Sequence, residues 1–91
     1  MINNHSFRSQ QDEQPKQLRL LIMLHNIGAT EESKALTIEQ IADWTRMEKP
    51  ELFSHLHKLI ELGYAKHFQS EKTDMYYLTI DGMRKVLSLY S

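Results

Sequence analysis

Apolar side chains recur at helical spacing in four segments of this chain, and two further segments are rich in aromatic and β-branched residues. The first helical segment follows Pro15, is apolar nearly all the way round between Leu18 and Ile27, and stops at Gly28. A helix that is apolar on every side must be buried on every side. We therefore expect one face of it to meet the core and the other to meet the C-terminal helix, a second protomer, or both.

Two more helices are predicted in the middle of the chain. Thr37-Ile38-Glu39-Gln40 has the form of a capping box, so a short helix begins at Ile38. A turn, Arg46-Met47-Glu48, leads to a longer helix that covers Lys49 to Leu62 and ends at Gly63. The leucines of the longer helix form one stripe and its polar residues form the opposite one, so one face packs and the other is exposed.

The C-terminal third predicts a hairpin and a last helix. Residues 64–69 and 75–80 carry the aromatic and β-branched side chains and are separated by five polar residues, which indicates two strands joined by a loop. Residues 81–91 show one apolar helical face. Residues 1–14 are polar without any period, which predicts a flexible N-terminal arm. We expect one α+β, mainly helical domain over residues 15–91.

Composition excludes several classes of protein. At 91 residues, 41% apolar and 25% charged, the chain suits one small soluble domain. The absence of cysteine rules out disulfides and thiolate sites, and no glycine-rich phosphate loop or supported acid pair is present, so we expect a non-enzyme without a cofactor. The longest apolar run, Leu20 to Leu24, is far shorter than the roughly 20 residues of a bilayer span, and no signal-peptide layout is present. An intracellular, cytoplasmic protein is expected.

Two stretches resemble winged helix-turn-helix regulators of the MarR, ArsR and PadR type. IADWTRMEKPELFSHLHKLIELGYA (residues 41–65) is similar to their small helix, turn and recognition helix closing on Leu-x-x-x-Gly. YYLTIDGMRKV (residues 76–86) is similar to the return strand of the wing, Tyr-x-Leu-Thr-x-x-Gly, running into the next helix. The resemblance spans about residues 18–89. It implies a winged helix-turn-helix with a two-stranded wing, plus N- and C-terminal helices.

The resemblance also implies a function in DNA binding. In such proteins a recognition helix, here residues 49–62, enters the major groove, and a wing, here residues 64–80, reaches flanking phosphates or the minor groove. The implied contact residues are Arg46, Lys49, Pro50, Glu51, Phe53, Ser54, His57, Lys58, Lys66, His67 and Lys72. We expect a sequence-specific transcription regulator of double-stranded DNA that acts as a homodimer, with half-sites roughly 34 Å apart.

Charge and several departures from the family pattern keep a second hypothesis open. The whole chain has a net charge of −1, and residues 46–72 hold five basic and four acidic residues, a weak footprint for phosphate binding. Glu48 stands where Ser or Thr commonly caps the recognition helix, Phe53 where a small hydroxyl is common, Ser54 where Arg is common, and Arg46 where Gly is frequent. The alternative is a winged-helix protein–protein interaction module without DNA binding, which uses Phe53 and Trp44.

Surplus apolar surface on the first and last helices indicates self-association, because so small a domain buries a limited fraction of its surface. The predicted dimer contacts are Leu20, Met23, Leu24, Ile27, Val86, Leu89 and Tyr90.

Several histidine and aromatic residues could have either a purely structural role or a functional one. We expect His55 to be a packed structural imidazole, His57 to be solvated or phosphate-facing, and His25 to be buried or at an interface. His55 and His57 lie on different sides of their helix and cannot share an ion, and we predict no metal site. Trp44 is either a core-edge residue or an exposed anchor, and Phe53 either packs against the hairpin or is exposed.

Overall fold

The computed structural model describes residues 15–90, and the arm predicted over residues 1–14 lies outside them. The helices are α1 (Pro15–Asn26), α2 (Ile38–Thr45), α3 (Lys49–Glu61) and α4 (Ile80–Leu89), with a short 3-10 turn at Glu32–Lys34. The strands are β1 (Leu36–Thr37), β2 (Ala65–Ser70) and β3 (Thr73–Leu78), which form one antiparallel sheet in the order β1-β3-β2. This arrangement confirms the predicted winged helix-turn-helix with a two-stranded wing.

Local chemistry fixes the helix ends as the sequence predicts. The Thr37 hydroxyl accepts from the Gln40 backbone N–H at 3.1 Å, and the Gln40 side chain accepts from the Thr37 N–H at 2.9 Å, which completes the capping box of α2. Gly28 and Gly63 have φ of +84° and +82° after α1 and α3, a left-handed conformation that a glycine adopts without steric cost.

The core lies where α1 packs against the other helices and β3. Its largest fully buried side chains are Leu20, Leu21, Leu24, Ile41, Leu52, Leu56, Leu59, Leu78 and Val86. The leucine stripe predicted on α3 is thus confirmed at Leu52, Leu56 and Leu59, whereas Leu62, its predicted last member, is 49% exposed. No helix among residues 15–90 has the length and apolar character needed to cross a bilayer.

Burial corrects part of the predicted dimer interface. Leu20, Leu24 and Val86 have 0% exposure within the single chain. They cannot contact a partner because the protomer's own helices already cover them. The apolar pattern of α1 and α4 was correct, but packing between these two helices accounts for much of it.

The turn of the hairpin is tighter than the sequence predicts. Ser70 pairs with Thr73, so only Glu71 and Lys72 form the turn instead of a five-residue loop. Their φ angles of 53° and 70° are those of the two-residue turn with positive φ at both positions that best matches strand twist. The loop prediction was wrong because polar composition does not reveal cross-strand pairing.

The start of α4 is fixed against the wing. Thr79 caps the helix by accepting from the Gly82 N–H at 3.0 Å, and its hydroxyl donates to the Gly63 carbonyl at 2.7 Å. Gly82 is buried, and a Cβ at that position would overlap the Tyr64 carbonyl oxygen. The glycine in YYLTIDGMRKV therefore permits close backbone approach.

Candidate nucleic-acid interface

The outer face of α3 presents most of the predicted contact residues to solvent. Its inner face is held by three buried leucines, so the opposite side must be exposed. The exposed side chains on that helix include Lys49, Pro50, Phe53, Ser54, His57 and Lys58. This set carries two ammonium groups, a hydroxyl, an imidazole and an aromatic ring, which can contact phosphates, base edges and thymine methyl groups.

A groove separates this face of α3 from the hairpin. It has a volume of about 560 Å³ and is lined by helix residues that include Phe53, Ser54 and His57, and by His67 and Tyr76 from the strands. The His67 ring stacks on the ring of its cross-strand neighbour Tyr76, with centroids 5.9 Å apart and an interplanar angle of 16°. The fold thus brings the helix and one wing residue of the predicted set to a single surface.

The other wing cations lie apart from that groove. Lys66 precedes His67 in β2, so its side chain points to the opposite face of the hairpin. There it borders a second hollow, of about 550 Å³, with Glu32 and Asp81 among its lining residues. Lys72 is exposed at the hairpin tip. The sequence predicted both lysines as phosphate contacts without distinguishing these positions.

Carboxylates partly neutralise the cations of α3. The Lys49 ammonium lies 3.4 Å from a Glu39 oxygen, and Glu61 lies 3.7 Å from Lys58 and 3.5 Å from His57. All these side chains are more than half exposed. Exposed pairs of this kind contribute at most about 1 kcal/mol, so a phosphate can displace them.

Glu51 is turned away from the groove and toward α1. Its carboxylate accepts a 2.8 Å hydrogen bond from Lys16, and the His55 Nε2 lies 3.8 Å from the same oxygen. The Lys16 hydrogen bond holds the pKa of Glu51 below its ordinary value. Since 35 positions separate Lys16 from Glu51, no local pattern pointed to this contact.

Arg46 occupies a backbone conformation that favours glycine. It ends α2 with φ 64° and ψ 19°, and its N–H donates to the Ala42 carbonyl at 2.8 Å. The side chain is exposed in the turn before α3. An arginine here carries a conformational cost that a glycine would not.

Two aromatic side chains of the helix-turn-helix, one on α2 and one on α3, are substantially exposed. Trp44 is 54% exposed, so its core-edge interpretation was wrong, and Phe53 is 47% exposed. The buried residues of α2 are Ile38 and Ile41 in its first turns, and its last turn, which carries Trp44, has none. Neighbouring elements therefore do not cover the indole, which no helical pattern could have shown.

The histidines occupy three environments. His55 is half-buried beside Glu51, which agrees with a packed imidazole, and the His57 side chain is 75% exposed. His25 is half-buried, and its Nδ1 makes no hydrogen bond within residues 15–90. No cluster of three or more metal-binding side chains occurs in that same range.

The sheet order, the α2-turn-α3 unit and the wing define the winged helix-turn-helix class. No family model and no curated protein matches the chain. Among solved structures, TubR from Bacillus megaterium pBM400 superposes with a TM-score of 0.74 and 20% identity, covering 94% of this chain and 97% of that one. A DNA-binding TubR fragment from Clostridium botulinum gives 0.71 and 24%, covering 80% and 91%.

A transcriptional regulator of the MarR family from Silicibacter pomeroyi is also similar. It gives a TM-score of 0.69 and 26% identity, covering 96% of this chain and 56% of that chain. These likenesses show that the chain has the fold of TubR and MarR-type proteins.

Proposed function

We propose that this protein is a regulator that binds double-stranded DNA, with α3 in the major groove and the hairpin as a wing. The observation that carries the proposal is the exposed face of α3 bordering one groove with the wing residue His67. Support comes from the shared fold with a DNA-binding TubR fragment and a MarR-family transcriptional regulator.

Side-chain chemistry assigns roles along α3. Ser54 and His57 are exposed hydrogen-bonding groups at the centre of the face and suit base edges. Lys49 and Lys58 stand toward its two ends and suit phosphates. The exposed ring of Phe53 suits the methyl group of thymine.

The wing contributes less charge than the sequence suggested. Lys72, at the hairpin tip, is the cation placed to reach a phosphate beyond the groove. Lys66 faces away from α3 and contributes only to the long-range electrostatic potential of the protein. Binding therefore depends on exchanging the carboxylate partners of Lys49 and Lys58 for phosphates.

The proposal includes a homodimer. Leu89 and Tyr90 of the predicted interface are 38% and 66% exposed at the end of α4. Met23 on α1 and Ile27, directly after that helix, are half-buried. A two-fold axis through this region would present two copies of α3 to successive major grooves, roughly 34 Å apart. Leu89→Glu with Tyr90→Glu should convert the dimer to a monomer in sedimentation velocity; an unchanged sedimentation coefficient would contradict this interface.

The DNA assignment is tested by removing two lysines from α3. Lys49→Ala with Lys58→Ala should weaken binding to a mixed-sequence duplex and reduce the slope of log K against log salt by about 0.9 per phosphate contact. The matched control, Lys34→Ala with Lys85→Ala, removes the same charge outside the interface. An equal effect of both double variants would contradict a specific role for α3.

A protein-interaction module is the second candidate, favoured by the 54% exposure of Trp44 and the 47% exposure of Phe53. Unpartnered aromatic side chains are typical anchors of protein interfaces. The two candidates separate on one result, because a module without a DNA role should show no mobility shift of duplex DNA at micromolar protein and low salt.

A further inference from the structure

A further, cationic concavity lies on the other side of α3 from the groove. It has a volume of about 270 Å³ and forms where the start of α1, the α2–α3 turn and the first turn of α3 meet. Lys16, Arg19 and Arg46 supply three positive charges, Glu51 supplies one negative charge, and Met23 and Met47 contribute apolar lining. We refer to these residues as the α1 cleft.

The charge of the α1 cleft is less compensated than that of the α3 face. Glu51 engages Lys16 at 2.8 Å, whereas Arg19 and Arg46 have no ion-pair partner among residues 15–90. Three cations against one carboxylate leave a net charge of +2. Lys49 and Lys58, by contrast, each lie within 4 Å of a glutamate.

The Lys16–Glu51 hydrogen bond engages the one carboxylate among the residues of the cleft. It joins the first turn of α1 to the first turn of α3, two elements that are distant in sequence. Because the Glu51 carboxylate pairs with the Lys16 ammonium, the guanidinium groups of Arg19 and Arg46 remain available to bind an anion. A guanidinium presents a planar fork of donors that matches phosphate oxygens.

Arg46 supplies an independent indication that the cleft has a function. Its φ of 64° lies in the left-handed region, which is unfavourable for an arginine and not for a glycine. Backbone strain of this kind is found more often at active sites and ligand-binding sites than elsewhere. The Arg46 side chain, which a glycine at this position would lack, is one of the cations of the α1 cleft.

The cleft also adjoins the N-terminal end of α3. The N-cap residue Glu48 makes no side-chain capping hydrogen bond, and the carboxylate of the first turn, Glu51, is engaged by Lys16. Anions are favoured at such a position. The N-terminal end of α3 thus carries a partial charge of the same, positive sign as the Lys16, Arg19 and Arg46 side chains.

We propose that the α1 cleft binds a backbone phosphate of duplex DNA next to the major groove entered by α3, with Arg19 and Arg46 as its ligands. This proposal rests on the proposed function and extends the interface to α1, which the sequence assigned only to core and dimer contacts. Arg19 is the new contact, and Lys16 engages the Glu51 carboxylate, which would otherwise oppose a phosphate. DNA is the occupant because the cleft includes the first turn of α3, the helix proposed to enter the major groove.

The test measures duplex binding by the 91-residue chain with Arg19 changed. Fluorescence anisotropy with a labelled mixed-sequence duplex of about three helical turns, or roughly 30 base pairs, gives affinity over a salt series from about 50 to 200 mM. Arg19→Ala should lower affinity at every salt concentration and lower the salt slope by about one. Arg19→Lys should restore the slope because the charge is retained.

Arg84→Ala provides the matched control. Arg84 is an exposed arginine on α4, 3.6 Å from Asp81, and lies outside the cleft. If wild type binds duplex DNA and Arg19→Ala keeps the wild-type slope, the α1 cleft is not a phosphate site although the proposed function stands. If wild type itself binds no duplex, both proposals fall. An equal loss in Arg84→Ala would show a general charge effect and would also overturn the assignment.

Discussion

Replacing Arg46 by glycine should make the fold more stable and DNA binding weaker. The residue ends α2 in the left-handed region, with φ 64° and ψ 19°, and its exposed side chain lines the α1 cleft. Glycine relieves the backbone strain and removes the guanidinium in one step. Stability and binding should therefore change in opposite directions.

The size of the stability effect follows from two opposing contributions. A left-handed conformation costs a residue with a Cβ roughly 1–2 kcal/mol. Glycine also lowers the free energy of unfolding by about 0.4–1 kcal/mol, because it increases the conformational entropy of the unfolded chain. The net gain for Arg46→Gly is about 1 kcal/mol, which raises the Tm of a domain of this size by about 4–8 °C.

Arg46→Ala separates the two effects. Alanine removes the same guanidinium but keeps a Cβ in the left-handed conformation, so it should not gain stability. Both variants should show a salt slope for duplex binding that is about one lower than wild type. Thermal unfolding followed by circular dichroism, together with anisotropy titrations, measures the two quantities on the same preparations.

Two results would refute this reasoning. If Arg46→Gly unfolds no higher than Arg46→Ala, the positive φ does not carry the stated strain. If both variants bind duplex DNA with wild-type affinity and slope, the side chain makes no phosphate contact, and the strain has no explanation in DNA binding.

Three further changes have defined outcomes. Glu51→Gln should raise duplex affinity by removing the one carboxylate of the α1 cleft. Lys16 lowers the pKa of Glu51 from its ordinary 4.5. The contact therefore stabilises the fold fully above about pH 4.5, and this stabilisation is lost as pH falls through the lowered value. Acid unfolding should accordingly be less steep in Glu51→Gln than in wild type. Glu71→Asn with Lys72→Gly should raise stability by about 1–2 kcal/mol in thermal unfolding, since both positions have positive φ; no gain over a Glu71→Ala control would contradict the turn geometry. Gly82→Ala should lower stability by about 1–3 kcal/mol, because the new Cβ would overlap the Tyr64 carbonyl oxygen. A wild-type Tm would argue against that close approach.

The parts of the fold that the sequence predicts are those set by neighbouring residues. The Thr37 capping box and the stops at Gly28 and Gly63 depend on chemistry within a few positions, and each occurs as predicted. The leucine stripe of α3 is likewise a property of one helix. Such features are readable because no distant contact is needed to specify them.

The errors all involve contacts between elements. The two-residue turn at Glu71 and Lys72 depends on strand pairing, and the exposure of Trp44 depends on what lies over the end of α2. The buried state of Leu20 depends on the packing of the other elements against α1. None of these is a local property of the chain.

The candidate interface shows the same division. Periodicity and family resemblance placed Ser54 and His57 on an outward face, and the structure shows that this face borders His67. The α1 cleft was not foreseen, because Arg19 belongs to a helix whose sequence indicated only burial. Its proximity to Arg46 exists only after α1 packs beside the helix-turn-helix.

The most direct test of DNA recognition is an NMR titration of the isotopically labelled protein with a mixed-sequence duplex. We expect backbone amide shifts to change along the outward side of α3, at the hairpin tip around Lys72, and around Arg19 and Arg46, while the 3-10 turn at Glu32–Lys34 is unaffected. Shift changes confined to other surfaces, or no change at low salt and saturating duplex, would contradict this expectation.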